Sequence, residues 1–363
     1  MQIVISFIGV MVLIILFIMT YPHFGKRPQK MKRKSFETSP NYQNGVFSYP
    51  MNKESTSFSS MMTILRDFTI TRTPNRKPKE RLQMDQVDFS TELKDHETSF
   101  TWFGHSALYI EMSRLRVLVD PMFGTSPTPF PQLSKSRYSG ELPFEIEKLP
   151  EIDVVLLSHD HYDHLDYGTI KQIKNKVKKF VVPLGVGSHL ERWGVSHEKI
   201  IELDWWEKVE VKDITFRSAP ARHFSGRNLH DRNHTLWCSW MMETKQEKFF
   251  FSGDGGYGPH FKEIGDRYGP FDLAFLECGQ YDERWASVHM FPEQTVQASI
   301  DVKANQFVPI HWGAFTLALH SWSNPVERAS KEAARLKVPI VTPKIGEKMV
   351  IGSSHLPTDE WWK

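Results

Sequence analysis

The chain is poor in cysteine and carries almost no net charge. Cys238 and Cys278 are its only two cysteines in 363 residues, and they do not form a C-x-x-C pair. A cysteine-rich zinc site or a disulfide framework is therefore not expected, although a single bridge between the two stays open. The formal net charge is only +2, which does not indicate nucleic acid or an acidic substrate as a partner.

The remaining composition is that of a globular protein with many aromatic residues. Hydrophobic residues make up 40% of the chain, charged residues 24% and aromatic residues 13%. The length suits one large domain with extra segments or two modest domains. The aromatic content fits a thick core, but it also fits a protein that touches lipid or binds an apolar ligand.

The N-terminus carries a long apolar run without charge at 3–19. No basic residue precedes the run, and residues 21–24 make a poor cleavage site, so we predict an uncleaved transmembrane anchor over 1–22 rather than a signal peptide. Six basic residues follow between positions 26 and 34. The positive-inside rule then predicts a single-pass protein of the cell membrane with its large domain in the cytoplasm. The same basic residues would hold anionic lipid head groups.

Two further regions follow the anchor. Residues 23–96 have weak periodicity, and we predict a basic juxtamembrane segment and an extended arm with a short helix near 59–68. The arm would either pack on the main domain or act as a flexible spacer. Residues 97–355 alternate strands and helices twice over. This alternation predicts an α+β domain in which two sheets pack together and helices cover their outer faces.

The densest cluster of reactive side chains follows the apolar run 154–157. His159, His161, Asp163 and His164 lie within six residues directly after that predicted strand. Histidine is the commonest metal ligand in proteins, and mixed sets of histidine and aspartate suit zinc and similar ions. The strand end therefore predicts a metal site.

Three isolated residues extend this predicted site. His223, Asp254 and His311 each follow a predicted strand, and strand ends from two sheets can converge on one rim. Seven ligands are too many for one tetrahedral zinc ion, but they suit two ions about 3.5–4 Å apart that share a carboxylate. We predict two Zn²⁺ ions, with Mn or Fe as alternatives. The predicted ligands are His159, His161, Asp163, His164, His223, Asp254 and His311.

These motifs resemble a known family. The H-D-H-Y-D-H motif at 159–164, a later G-D and a final H-W-G resemble the metallo-β-lactamase superfamily. Further segments resemble the N-acyl-phosphatidylethanolamine-hydrolysing phospholipase D family and its bacterial relatives, over about 98–351. These segments are T-W-F-G-H-S at 101–106, D-W-W at 204–206, F-F-F-S-G-D-G-G-Y at 249–257 and G-P-F-D-L-A at 269–274.

The resemblance implies a fold, a ligand arrangement and an activity. The fold would be a four-layer αβ/βα sandwich. His159, His161 and His223 would hold one ion, while Asp163, His164 and His311 would hold the other. Asp254 would bridge the two ions, and His289 matches a family histidine near the substrate phosphate. One departure is Gly255, where the family commonly has threonine.

The predicted function is that of a membrane-anchored dinuclear-metal hydrolase. Its substrate would be a phosphodiester, of the N-acyl-phosphatidylethanolamine type, cleaved as by a phospholipase D. Asp163, Asp254 and His289 are the predicted catalytic residues, Tyr162 and His289 would contact substrate, and His105 would support the site by hydrogen bonding. His320 is left open between a structural and a functional role.

Two other functions stay open at this point. One is a metal-dependent lactonase or phosphoesterase for a small soluble substrate. The other is a non-catalytic binding protein of the cell envelope. A membrane lipid and the membrane surface are the expected partners, nucleic acid is not expected, and self-association is left open.

Overall fold

The computed structural model describes most of the chain. The described residues are 20–50, 58–71, 73–90, 97–133, 136–228, 230–352 and 357–363, together with positions 6, 9, 16 and 17. Most of the predicted anchor over 1–22 lies outside these residues. Within them, no helix has the length and apolar character that crossing a membrane requires. The structure therefore gives the predicted transmembrane helix no support.

The arm packs on the main domain. Its elements are α1 (Lys30–Ser35), the paired strands β1 (Tyr42–Gln43) and β2 (Val46–Phe47), and α2 (Phe58–Ile70). Phe36, Phe47 and Tyr49 are buried in the central core. The Phe47 N–H donates to the Asn233 carbonyl at 2.8 Å. A flexible spacer is therefore not what the structure shows for residues 36–49.

The first sheet has seven strands. They are β3 (Ser99–Trp102), β4 (Leu108–Met112), β5 (Leu115–Val119), β6 (Ile152–Leu156), β7 (Val177–Pro183), β8 (Ile200–Leu203) and β15 (Lys348–Val350). Their order is β15-β3-β4-β5-β6-β7-β8, and β5 to β8 are parallel. Strand β6 sends Val154 and Leu156 into the space between the sheets, while Val155 faces the opposite side. Because both faces are covered, the sequence of this strand continues into the apolar run 154–157 rather than alternating with polar residues.

The second sheet has six strands. They are β9 (Lys208–Val211), β10 (Ile214–Ala219), β11 (Ser239–Glu243), β12 (Lys248–Phe251), β13 (Leu273–Glu277) and β14 (Phe307–Ile310). Their order is β14-β13-β12-β11-β10-β9. Strands β12, β13 and β14 are parallel, and β10 points the same way because both β10 and β12 are antiparallel to β11. Four strands of this sheet therefore end at one edge.

Helices cover the outer face of each sheet. On the first sheet, α3 (Tyr167–Ile173) and α4 (Gly187–Arg192) contribute to one apolar cluster. On the second sheet, α5 (His260–Tyr268), α6 (Pro292–Asp301) and α7 (Asn324–Leu336) contribute to another. Between the sheets lies the largest cluster, where the rings of Phe100 and Phe275 are 5.0 Å apart. The predicted four-layer αβ/βα sandwich is thus confirmed.

A buried histidine at the start of α5 predicts acid sensitivity of the fold. His260 is 3% exposed, and its Nδ1 lies 3.1 Å from the Tyr49 hydroxyl of the arm. Burial, and then the charge of Arg222, lower the pKa of His260 to about 3. Below about pH 6.5 the unfolded chain therefore binds a proton at His260, whereas the folded chain does not bind it until the pH falls to about 3.

We expect His260 to lower the free energy of unfolding by about 1.4 kcal/mol for each pH unit below about 6. The measurement is urea unfolding at pH 6.5, 5.5 and 4.5 for the wild-type chain and His260→Gln. The difference between the two slopes isolates His260 from other acid-sensitive groups. Parallel curves would show that this histidine does not contribute.

Candidate metal centre

The site lies where strands of both sheets end. Asp120 follows β5, and the segment 158–164 follows β6. His223, Asp254 and His311 follow β10, β12 and β14. Since β5 is parallel to β6 and the other three strands share one direction, these loops meet at one edge of the sandwich.

The first group at this edge consists of three histidines. The His159 Nε2 lies 2.9 Å from the His161 Nδ1. The His223 Nε2 lies 3.2 Å from the same nitrogen. His159 and His223 are each 1% exposed, so the group is closed to bulk solvent on most sides.

The second group contains a carboxylate and two histidines. The Asp163 Oδ2 lies 3.3 Å from the His311 Nε2 and 3.5 Å from the His164 Nε2. The same oxygen lies 2.8 Å from the His105 Nε2. His105 is buried behind Asp163, as a residue that supports the site by hydrogen bonding would be.

Asp254 stands between the two groups. Its Oδ2 lies 3.0 Å from the His164 Nε2 and 3.1 Å from the His311 Nε2. It lies 3.8 Å from the His159 Nε2 and 3.9 Å from the His223 Nε2. One carboxylate therefore reaches histidines of both groups.

These residues fit a pair of divalent ions. Ligands about 2.0–2.1 Å from a tetrahedral ion are about 3.3 Å apart, and the separations above bracket that value. Among the described residues, the buried His164 Nε2 and Asp254 Oδ1 have no partner in hydrogen-bonding geometry, although the His164 Nε2 lies close to the Asp254 Oδ2. Buried polar atoms of this kind need a partner, and a cation among them would supply it. The donor set of imidazoles and carboxylates suits zinc, manganese or iron.

The electrostatics of the two groups differ. Burial and neighbouring histidines hold the pKa of His159 and of His223 well below the ordinary value, so these rings are neutral and can act as ligands. Burial alone would lower the pKa of His311 too, but Asp254 and Asp163 outweigh it and raise the pKa to about 10. The two carboxylates thus stabilise positive charge on the groups beside them. A metal ion would supply that charge in place of protons.

Backbone and side-chain contacts fix the ring orientations. The His164 Nδ1 donates to the Asp120 Oδ2 at 2.7 Å, and the His223 Nδ1 donates to the Val288 carbonyl at 2.9 Å. Because Nδ1 makes this bond in each ring, Nε2 is the nitrogen directed towards the other predicted ligands. Asp120 also accepts from the Ser158 N–H at 2.7 Å. Sequence reasoning missed Asp120 in this role, although an aspartate directly after a buried strand was the available signal.

Replacing Asp120 with asparagine should weaken metal binding by about 10–100-fold, because an amide can hold His164 in the wrong tautomer. The backbone should tolerate the change, since Asp120 has φ 41° and asparagine favours that region. Competition with a chromophoric chelator measures the affinity. Asp153→Asn, at the far end of β6, is the matched control and should bind metal normally. Equal affinities in all three proteins would contradict the assigned role.

Two histidines of the site have an uncommon backbone conformation. His105 and His311 have φ of 55° and 69°, in the left-handed region that such residues rarely occupy. The two residues are also paired, since the His311 N–H donates to the His105 carbonyl at 2.8 Å. Gly253 has φ 58°, and a Cβ there would lie 2.7 Å from the Cys238 carbonyl oxygen. The glycine beside Asp254 therefore permits close approach of a neighbouring backbone segment.

The segment around Cys238 does not form the strand that the sequence predicts there. The sequence pattern predicts a strand over 235–243, but β11 begins only at Ser239. The reason is that the Cys238 N–H donates to the Ser158 carbonyl at 2.9 Å rather than to a strand partner. The residues before β11 thus brace the loop that carries the histidine motif.

The other predicted site residues lie around the two groups. The His289 ring stacks on that of His311 at 5.2 Å and meets the ring of His223 edge-on at 5.2 Å. The Tyr162 hydroxyl donates to the Arg227 carbonyl, and the Arg227 guanidinium lies 4.1 Å from the centroid of the Tyr162 ring. The structure therefore brings together all seven predicted ligands, with His105 and His289 beside them.

Comparison with known proteins identifies the family. The sequence model of one protein family, the beta-lactamase superfamily domain, matches residues 115–312, which is more than half of the chain. The chain belongs to the metallo-β-lactamase superfamily. This superfamily fold implies binding of divalent metal, and the chain is a metal-dependent hydrolase of the superfamily.

Several relatives within the superfamily are similar in sequence. An uncharacterized protein of Mycobacterium tuberculosis is 41% identical over 267 residues, which are 72% of this chain and 71% of that protein. The N-acyl-phosphatidylethanolamine-hydrolyzing phospholipase D 1 of Caenorhabditis elegans is 35% identical over 60% of this chain and 64% of its own length. The mitochondrial enzyme of that name from Saccharomyces cerevisiae is 33% identical over 69% of this chain and 56% of its own length.

A solved structure has the same superfamily fold. Igni18, a metallo hydrolase from Ignicoccus hospitalis, superimposes with a TM-score of 0.53 over 70% of this chain and 98% of its own, at 20% identity. At this identity the likeness concerns the fold alone.

Proposed function

We propose that the chain is a two-metal phosphodiesterase that cleaves a phospholipid of the N-acyl-phosphatidylethanolamine type, as a phospholipase D does. The observation that supports this proposal is the position of Asp254 between the two donor groups. Its Oδ2 lies within 3.9 Å of four histidine nitrogens. Two such ions, when bound, would activate water and neutralise charge on the phosphoryl oxygens.

Each of the site residues would have a role in binding the ions or in proton transfer. His159, His161 and His223 would hold one ion, and Asp163, His164 and His311 the other. His289 is only partly exposed, with 16% of its side chain accessible, and it stands over both groups. From there it would donate a proton to the leaving-group oxygen. His105 would keep Asp163 in place through the 2.8 Å contact.

The lipid substrate is supported by the relatives. Both the worm and the yeast protein carry the name of an N-acyl-phosphatidylethanolamine-hydrolysing phospholipase D. The chain covers less than two thirds of either protein, so their activity comes to this chain as a proposal.

A membrane surface is the proposed location of the substrate. The ring of Phe130 lies 6.2 Å from that of Phe17 and 5.4 Å from that of Tyr21, and Leu133 is 84% exposed. Exposed lysines of the basic segment, Lys26, Lys30 and Lys34, lie close by in the chain. Apolar rings beside basic side chains suit an anionic lipid surface. The side of the membrane stays a prediction.

Contacts join this surface to the metal centre. The Arg227 guanidinium donates to the His23 carbonyl at 2.8 Å and also to the Asp160 carbonyl within the histidine motif. The Trp193 indole donates to the Pro22 carbonyl at 2.9 Å. Residues 22–23 are therefore held against the loop that carries the ligands, which would keep the metal centre close to the lipid surface.

The test is metal analysis of the purified chain followed by a substrate panel. The panel holds N-acyl-phosphatidylethanolamine in anionic and in neutral vesicles, phosphatidylcholine, bis(4-nitrophenyl) phosphate and a lactone. We expect about two metal ions per chain, an N-acylethanolamine and phosphatidic acid as products, and faster cleavage in anionic vesicles.

Other outcomes would overturn parts of the proposal. Opening of the lactone without cleavage of any phosphodiester would favour the soluble-substrate enzyme. Bound metal without turnover of any compound would favour a binding protein. Equal rates in the two kinds of vesicle would remove the anionic surface from the proposal. Background hydrolysis is given by the Asp254→Ala chain.

A further inference from the structure

We propose that Glu277 is a positioning residue that holds the His289 ring so that its Nε2 can deliver a proton to the leaving oxygen. This inference rests on the proposed phosphodiesterase function. Glu277 ends β13, is 0% exposed and is not one of the seven ligands predicted from the sequence. Sequence reasoning missed it, because an isolated glutamate after an apolar strand gives no sign of what lies opposite.

The geometry of Glu277 is fully determined by its neighbours. Its Oε1 accepts from the His289 Nδ1 at 2.9 Å and from the Met290 N–H at 3.1 Å. Its Oε2 accepts from the Gly255 N–H. Its own N–H donates to the Ser252 hydroxyl at 2.9 Å, and its carbonyl accepts from the Thr295 hydroxyl at 2.7 Å. The carboxylate is therefore fixed at both ends.

This arrangement connects His289 with the proposed bridging residue. Gly255 directly follows Asp254, so one carboxylate orders the backbone beside the shared ligand and the ring above it. Because the His289 Nδ1 faces Glu277, its Nε2 is the nitrogen left for another partner. One donor atom each of His289, His223 and Asp254 lies within 4.8 Å of the other two. That spacing places His289 within reach of a phosphodiester lying over both groups.

The proposed cleavage step is balanced in bonds and in protons. A water oxygen bonds to phosphorus while one water proton leaves to solvent. The bond between phosphorus and the leaving oxygen breaks, and the proton on the His289 Nε2 passes to that oxygen. An alcohol and a phosphomonoester result, and His289 regains a proton from solvent. Glu277 accepts from the His289 Nδ1 and so keeps the ring aligned, as a carboxylate partner of a histidine does.

Glutamine at position 277 tests this role because it has the same shape but the wrong donors. The site offers three N–H donors, whereas an amide presents only one acceptor oxygen and an NH₂ group. In Glu277→Gln the His289 ring should lose its fixed tautomer. The matched control is Glu111→Gln. Glu111 is buried at 6% exposure and accepts from the Tyr109 hydroxyl at 3.1 Å, at the far end of β4.

Two substrates separate proton transfer from a general loss of structure. We expect Glu277→Gln and His289→Asn to lower kcat on N-acyl-phosphatidylethanolamine by on the order of 10²-fold, the usual value of an acid catalyst. On bis(4-nitrophenyl) phosphate, whose leaving group needs no proton, kcat should fall less than about threefold. The double variant should lose no more than either single variant. Metal content should stay unchanged in all of them.

A second readout does not depend on activity. In ¹⁵N-histidine-labelled chain, the proton between the His289 Nδ1 and Glu277 should give a downfield ¹H resonance, assigned by its absence in His289→Asn. That resonance should also be absent in Glu277→Gln and present in Glu111→Gln. Its persistence in Glu277→Gln would overturn the contact.

The kinetic outcomes also distinguish the two proposals. Equal losses on both substrates, or additive losses in the double variant, would overturn the positioning role while the phosphodiesterase function stands. A wild-type chain that cleaves neither phosphodiester would overturn the proposed function together with the proton transfer. The resonance would still decide whether Glu277 holds His289.

Discussion

Replacing Asp254 with alanine should remove both activity and most of the bound metal. The Asp254 Oδ2 lies within 3.9 Å of histidines from both donor groups. Its loss breaks the link between the two ions and removes a negative charge from a buried site. Several kcal/mol of transition-state stabilisation would be lost, which corresponds to on the order of 10³-fold in kcat.

Metal content by mass spectrometry and kcat on a phosphodiester are the measurements for this variant. Asp153→Asn is again the matched control, because Asp153 is a 7% exposed aspartate near the start of β6, at the end of the strand away from the histidine motif. Circular dichroism checks that Asp254→Ala keeps its secondary structure. An Asp254→Ala chain that retains two ions and most of its activity would rule out the bridging role.

The strand ends explain why so much of this site could be predicted. His223, Asp254 and His311 are far apart in sequence, but each lies within four residues of the end of a strand, as the start of the motif at 159–164 does. Parallel strands end at the same edge, so residues in these positions are brought together whatever the loop lengths. The four-layer fold could be predicted for a similar reason, because strands buried on both faces need helices outside them.

The supporting residues could not be predicted in this way. Asp120 and Glu277 also end strands, but their role depends on which histidine lies opposite, and sequence spacing does not give that information. His289 and His320 show the same difficulty. Both follow no strand, yet His289 lies over the donor groups, while the His320 Nε2 accepts from the Gln280 N–H at 2.9 Å and its Nδ1 donates to the Ser321 carbonyl. Those bonds give His320 a structural role.

The limits of the compact domain were equally hard to predict. The predicted domain ends at 355, but Trp362 is 5% exposed and its ring lies 5.8 Å from that of Trp312, next to His311. In the arm, Phe36 and Phe47 pack in the core between the sheets. Both segments lack periodicity, because single aromatic anchors rather than regular elements attach them.

Removing the metal should lower the stability of the fold, and the loss should grow with pH. In metal-free chain, burial alone would lower the pKa of His311, but the carboxylates around it raise that pKa from 6.5 to about 10. A raised pKa contributes stability that is complete below about pH 6.5 and is lost as the pH rises towards 10. Bound ions supply this positive charge at any of these pH values, and they bind more tightly once the histidines are neutral.

We therefore expect the Tm of metal-free chain to be lower by on the order of 10 °C, given about 4 kcal/mol for each ion at 1,000 times its Kd. The gap between metal-loaded and metal-free chain should widen from pH 6.5 to 9. Calorimetry before and after dialysis against a chelator measures it. Asp254→Ala should show little gap, because it no longer pairs the two ions. A gap that stays constant with pH would mean that a proton on His311 does not replace the ions.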